Sequence, residues 1–235
     1  MVAQLVQALR LPISPIRLEA YRLANGNDLD MIVNYVWNIE LSEALYPCLQ
    51  TFEIALRNSV HQALTNHYQS EYWFDRGDLL EWQQERVRDA RDELTKSQKP
   101  LEAGRIVAEL TFGFWSSMFN SPYEEILWHA NGAVLIDRVF PSLPRALRNR
   151  KKLSQRVERI RRLRNRVFHY EPIWKTPDLA QRHFQIHEAL DWISPEMRAV
   201  MTLCDRFDSV FLSQPLIQAK LLAHLGSPNT DPDRN

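Results

Sequence analysis

Leu163-Arg164-Asn165-Arg166-Val167-Phe168-His169-Tyr170-Glu171-Pro172-Ile173-Trp174 is the stretch that decides how this chain folds. Its apolar residues continue a pattern begun upstream, where Leu153, Val157, Ile160, Leu163 and Val167 recur at every third or fourth position. That spacing draws one apolar stripe along an amphipathic helix. Pro172 pushes Glu171 out of helical geometry, so the helix is predicted to stop at about His169–Tyr170. The same helix is strongly basic. From Arg145 to Arg166 there are 11 Lys or Arg and one acid, Glu158, in a chain whose formal net charge is zero. Like charges four apart on a helix repel by roughly a few tenths of a kcal/mol per pair, and a polyanion laid along the helix removes that penalty. The side chains expected to meet it are Arg148, Arg150, Lys151, Lys152, Arg156, Arg159, Arg161, Arg162 and Arg166. The plainer alternative is a solvated charged face.

Working outward, the chain reads as helix after helix. Ser14-Pro15 and Ser121-Pro122 pair a cap residue with a first-turn proline, as Ser194-Pro195 does again. One helix is expected from about Asp28 to Ile39 and another from near Leu41-Ser42, with Ser42 as a candidate cap and a kink or delayed start at Pro47. Leu49, Phe52, Leu56, Val60 and Leu64 form a second long apolar stripe. Further helices are predicted from about Leu79 to Ser97, from Gly104 to Phe119, from Pro177 to Ile193, and from Pro195 to about Leu212. Gly113, inside the Gly104–Phe119 helix, suggests a close approach of two helices. Glycine is scarce, at 6 of 235 residues, which argues against a sheet-rich fold with many tight turns. The expected architecture is all-α, with about eight or nine helices in one domain over residues 1–226 and a disordered polar tail at 227–235.

Composition is that of an ordinary globular protein, with 45% hydrophobic and 25% charged residues. No apolar run approaches the roughly 18 residues of a membrane span, and no signal peptide opens the chain. No membrane association is expected, and the predicted location is cytoplasmic. Cys48 and Cys204 are expected to be buried free thiols. His183 and His187 have the spacing of two metal ligands, but only the adjacent Glu188 supports them, so no metal and no cofactor is expected. Gly-rich phosphate loops, paired-cysteine zinc spacings and Gly-x-Ser-x-Gly elbows are missing from the sequence.

A second polar cluster, Arg57-Asn58-Ser59-Val60-His61, follows Glu53 on the flank of the Leu49–Leu64 stripe. Glu53 and Arg57 have the order and spacing of an i, i+4 ion pair. The cluster is either a solvated surface flank or a second wall of the site around Arg164 and His169.

Taken together, these residues resemble the signature of Abi-like (abortive-infection) proteins of the HEPN superfamily. The string Leu-Arg-Asn-Arg-Val-x-His-x-Glu-Pro-Ile carries the resemblance, with Tyr46 to Asn58, Thr111 to Trp115, and Phe140-Pro141 as further matches. It covers roughly residues 15 to 215. It implies an all-α HEPN-type bundle in which Arg164 and His169 serve metal-independent RNA cleavage. It also implies a homodimer, because paired motifs from two protomers usually form one composite site. Many relatives carry a second histidine where this chain has Tyr170, so a role for that side chain does not carry over directly. A tyrosine modified in some toxins of the superfamily corresponds to Glu171 here.

The chemistry of the residue types agrees with this expectation. A 2′-hydroxyl attacking the adjacent phosphate needs a base, a proton for the leaving oxygen, and positive charge for the phosphorane. A histidine suits either proton role, and a guanidinium grips phosphate oxygens bidentately. On an ideal helix, residues five apart lie about 140° around the axis, so Arg164 and His169 do not share a face, whereas Asn165 and His169 do. Asn165, Tyr170 and Glu171 are the expected supporting residues. The competing expectations are an RNA- or nucleotide-binding module without turnover, and a scaffold whose basic face meets an acidic antitoxin or phage-derived protein.

Overall fold

The computed structural model describes residues 1–128 and 132–226, so the tail expected at 227–235 lies outside the described residues. Among them there are twelve α-helices, three 3-10 turns, one π-helical turn and no strand. No helix is long and apolar enough to cross a membrane. The all-α expectation is correct at that level. The helix count is higher than eight or nine, because two predicted helices are divided and Val2–Ile13, Gly132–Val139 and Gln214–Gly226 are further helices.

Two compact units are distinguished. The first comprises residues 1–47, 166–183 and 205–235. It contains α1 (Val2–Ile13), α2 (Pro15–Glu19), the start of α3 (Asp28–Tyr68), the last turn of α8 (Arg150–Phe168), the start of α9 (Leu179–Ile193), α11 (Phe207–Phe211) and α12 (Gln214–Gly226). Its core includes Leu18, Tyr21, Met31, Trp37, Leu41, Leu45, Ile173 and Phe207. Ser14 caps α2 by accepting the Arg17 N–H. Two buried amides on one face of α3 tie down surrounding backbone. Asn34 donates to the Tyr21 carbonyl at 3.0 Å, and the Asn38 carboxamide oxygen accepts the N–H groups of Ile173 and Trp174 at 2.6 and 3.1 Å.

The second unit comprises residues 48–165 and 184–204. It holds the remainder of α3, α4 (Glu81–Lys96), α5 (Ala103–Glu109), α6 (Phe112–Ser117), α7 (Gly132–Val139), α10 (Pro195–Thr202) and the larger parts of α8 and α9. Leu49, Phe52, Leu56, Val60 and Leu64 are all buried, as are Leu153, Val157, Ile160 and Leu163. Phe52 meets Phe112 edge-on, with ring centroids 6.1 Å apart.

The departures from expectation have local causes. The new helix expected from near Leu41-Ser42 and the delayed start at Pro47 are not there: α3 runs unbroken for 41 residues, with Pro47 inside it. Ser42 does not cap a new helix but donates to the Asn38 carbonyl one turn back, at 2.8 Å. The Gly104–Phe119 helix is instead two helices, because Leu110 adopts an extended conformation between them. Gly113 does not mark a close approach, since a Cβ there would meet only Thr111 Oγ1, at an ordinary 3.6 Å. The Pro195–Leu212 helix is also two, because the Asp205 carboxylate accepts the Phe207 N–H and starts α11. Cys48 is buried, but Cys204 is exposed in the turn after α10, and neither forms a disulfide.

Candidate functional site

The helix that carries the opening motif ends in a hydrogen-bonded turn. The Tyr170 N–H donates to the Val167 carbonyl at 3.1 Å and the Glu171 N–H to the Arg166 carbonyl at 2.8 Å. This pair of bonds is the Schellman motif, with His169 as the C-cap and Tyr170 in the left-handed position usually held by glycine, at φ 58°. Arg166 braces the loop beyond. It donates to the Pro172 carbonyl, bonds Thr176 Oγ1 at 3.1 Å, and lies 3.4 Å from the Glu171 carboxylate. Arg17 donates to the Tyr170 carbonyl. The turn is thus held from several directions, while the side chains of His169 and Tyr170 remain exposed.

A left-handed non-glycine residue costs roughly 1–2 kcal/mol, which glycine avoids at the expense of a larger loss of chain entropy. Tyr170→Gly is therefore expected to stabilise the protein by about 0.5–1 kcal/mol, seen as a rise of a few degrees in Tm by calorimetry.

In the second unit, Arg164 does not point freely to solvent. Its Nε donates to a Glu53 carboxylate oxygen at 2.9 Å, and both side chains are largely buried. The two polar clusters, 111 residues apart in the chain, therefore meet at this pair. The ion pair expected between Glu53 and Arg57 is replaced by it, and Arg57 instead donates to the Asn58 side-chain oxygen at 3.3 Å. Asn165 is half-buried and Asn58 is exposed.

His61 belongs to the packing. Its Nδ1 accepts the Trp73 indole N–H at 2.9 Å, which requires that nitrogen to be unprotonated. Burial pushes its pKa down. His183, stacked on Phe207 with ring centroids 4.2 Å apart, is pushed down mainly by burial, which outweighs the attraction of Asp205. Both rings titrate lower in the folded protein than the ordinary value near 6.5, so the unfolded chain takes up protons first as pH falls. The stability they contribute is complete above that value and drains away below it. Tm is expected to fall between pH 7.5 and pH 5, with a shallower fall in His61→Gln, as followed by calorimetry.

The basic run from Arg145 to Arg166 is largely answered by carboxylates. Arg148 pairs with Asp137 and Arg150 with Glu124, each at 2.8 Å. Arg156 pairs with Glu188 and lies over the Trp192 ring, 4.7 Å from its centroid. Glu158 holds both Arg161 and Arg162, at 2.7 and 2.9 Å, and those guanidinium groups lower its pKa. Lys152 donates to the Ala146 carbonyl, and Arg159 meets only the neutral Gln185 side chain. Lys151 and Arg159 form no ion pair among the described residues, and both are exposed. The charge run is thus not one open cationic strip. Of these arginines Arg162 is well exposed, and an exposed pair of that kind is worth about 0–1 kcal/mol, so a phosphate displaces it at little cost.

Compared with protein-family models, with curated proteins and with solved structures, the chain matches none. The geometry must therefore carry the functional reading by itself.

One feature of the first unit had no signal at the level of motifs. A cavity of about 1000 Å³ opens beside the motif's helix end, and Val167, Phe168 and Tyr170 line it together with Arg17, Tyr21, Tyr35 and Tyr46. The available sequence signal was the pair Asn34 and Asn38, two amides one turn apart on an otherwise apolar face of α3. Such residues are buried only where they have backbone to satisfy.

Proposed function

We propose that the protein is a metal-independent endoribonuclease of the defence or toxin type, acting as a homodimer. The observation that carries this reading is the presentation of His169: an exposed imidazole on a turn fixed by the Schellman bonds, by Arg166 and by Arg17. A general acid–base group needs access to substrate and a backbone held in place, and this residue has both. Arg164 supplies the charge for the developing phosphorane, and Glu53 holds its guanidinium in one orientation until a phosphate competes for it. The 2′-hydroxyl of the RNA is the nucleophile. Its proton passes to a neutral imidazole, the P–O5′ bond breaks, and the 5′-oxygen takes a proton from an imidazolium. In a homodimer these two rings are the His169 side chains of the two copies. RNA approaches through the exposed cations Lys151, Lys152, Arg159 and Arg162.

Expression of the wild-type chain beside His169→Ala tests the proposal in cells. Wild type is expected to arrest growth and degrade RNA, and the variant to do neither; equal toxicity of the two would overturn it.

A second reading rests on the carboxylate partners along α8. If the arginines serve chiefly to hold helices together, the protein is a binding module for RNA or for an acidic antitoxin or phage-derived protein. Turnover separates the two readings, since only the enzyme loses cleavage in Arg164→Ala while keeping salt-sensitive RNA binding.

A further inference from the structure

A small cleft of about 230 Å³ lies in the second unit, between α8 and the part of α9 that belongs to that unit. Lys152, Arg156 and Arg159 line it. Their spacing of four and three residues puts all three on one face of α8, with Lys152 and Arg159 about 10 Å apart along the axis. No carboxylate is among the lining residues. Arg156, in the middle, is answered by Glu188 from beyond the cleft. The two outer cations are not answered. Lys152 Nζ donates to the Ala146 carbonyl at 3.0 Å and Arg159 to the Gln185 side-chain oxygen at 3.3 Å, both neutral acceptors, and neither cation forms an ion pair among the described residues. Lys152 reaches back towards the start of α8 and Arg159 across to α9, so the two charges stand at opposite ends. The wall between them is apolar: Leu153 and Trp192 are buried, and Leu147 is half-buried.

Two cationic ends and an apolar middle select among small anions. Inorganic phosphate is compact; it meets one end and leaves the hydrocarbon wall bare. A nucleotide exceeds the space, since sites for drug-sized ligands run from about 300 Å³ upwards. Nor does a base stack here, because the aromatic side chain in the wall, Trp192, already has Arg156 over its ring, 4.7 Å from the centroid. A fatty monocarboxylate answers one cation and not the other. A short hydrocarbon chain with a carboxylate at each end answers both, and its methylenes cover the apolar wall. We infer that this cleft binds a small aliphatic dicarboxylate, with one carboxylate at Lys152 and the other held by the Arg159 guanidinium. Such a ligand covers two of the cations over which RNA is proposed to approach, so it competes with RNA. Only that consequence rests on the nuclease reading; the binding does not.

The test is isothermal titration of the full-length wild-type protein at low salt. The probes are succinate, adipate and suberate, with hexanoate as the one-ended control and inorganic phosphate as the compact one. At least one dicarboxylate is expected to bind, about tenfold or more tighter than hexanoate. Lys152→Met and Arg159→Met keep a hydrocarbon stem, and each should weaken that dicarboxylate to the level of hexanoate. Both side chains are exposed, so neither change threatens the fold. Leu147→Ser should weaken the dicarboxylate and hexanoate but not phosphate. No binding of any dicarboxylate at millimolar concentration overturns the inference. So does phosphate that binds as tightly as the best dicarboxylate, or dicarboxylate binding indifferent to both cations. Single-stranded RNA whose binding needs Lys152 and Arg159, with no dicarboxylate bound, would assign the two cations to RNA and sink the cleft. Adipate binding that leaves RNA affinity unchanged would spare the cleft and remove these cations from the RNA path.

Discussion

His169→Ala is expected to lower RNA cleavage by a factor of about 10²–10⁴, the range for losing a positioned acid–base side chain. It should do so without unfolding the protein. The ring is exposed, and the hydrogen bonds of the turn around it are made by backbone groups and by Arg166 and Arg17. A surface change of this kind moves stability by no more than about 0.5 kcal/mol. Rates measured on a labelled single-stranded RNA, beside thermal unfolding of both proteins, separate loss of chemistry from loss of fold. A large drop in Tm would mean that the imidazole has a structural duty that the geometry does not show.

The largest effect on stability is expected at Asn38. Its carboxamide oxygen is the acceptor for two consecutive backbone N–H groups, those of Ile173 and Trp174, in a fully packed setting where Asn38 is 4% exposed. Asn38→Ala leaves both donors buried and unanswered. Each orphaned group costs roughly 1–3 kcal/mol, and some relief by water brings the total to about 2–4 kcal/mol. At about 2–4 °C per kcal/mol for a chain of this size, Tm should fall by roughly 5–15 °C. Faster hydrogen exchange at the Ile173 and Trp174 amides is the local signature. An unchanged Tm would show that the loop after the motif is held by Arg166 and its partners instead.

These two residues also show what the sequence could and could not disclose. The end of α8 at His169 was legible, because a proline three residues later forbids continuation and the apolar spacing runs out at Val167. Both long stripes were legible for the same reason: burial follows helical periodicity, and every residue of each stripe is buried. Partners distant in the chain were not legible. Glu53 has a ready local partner in Arg57, and nothing in the spacing says that Arg164 displaces it. Likewise the acids that answer the basic run, Asp137, Glu124 and Glu188, come from other elements, so a local charge count overstated the free charge. Ser42 failed as a cap for a reason visible only in three dimensions, since its hydroxyl bonds back along an unbroken helix. The aromatic cavity joins residues from α1 to Arg206, and apart from the two amides Asn34 and Asn38 it has no linear signature.

The central claim is chemical: an imidazole at the end of a basic helix cleaves RNA through the RNA's own 2′-hydroxyl. It is tested most directly by incubating purified wild-type protein with single-stranded RNA in EDTA and determining the product ends by mass spectrometry. The account predicts 2′,3′-cyclic phosphate and 5′-hydroxyl ends, no cleavage of DNA of the same sequence, and no such products from His169→Ala. Cleavage that persists unchanged in His169→Ala, or RNA left intact by wild type, would contradict it.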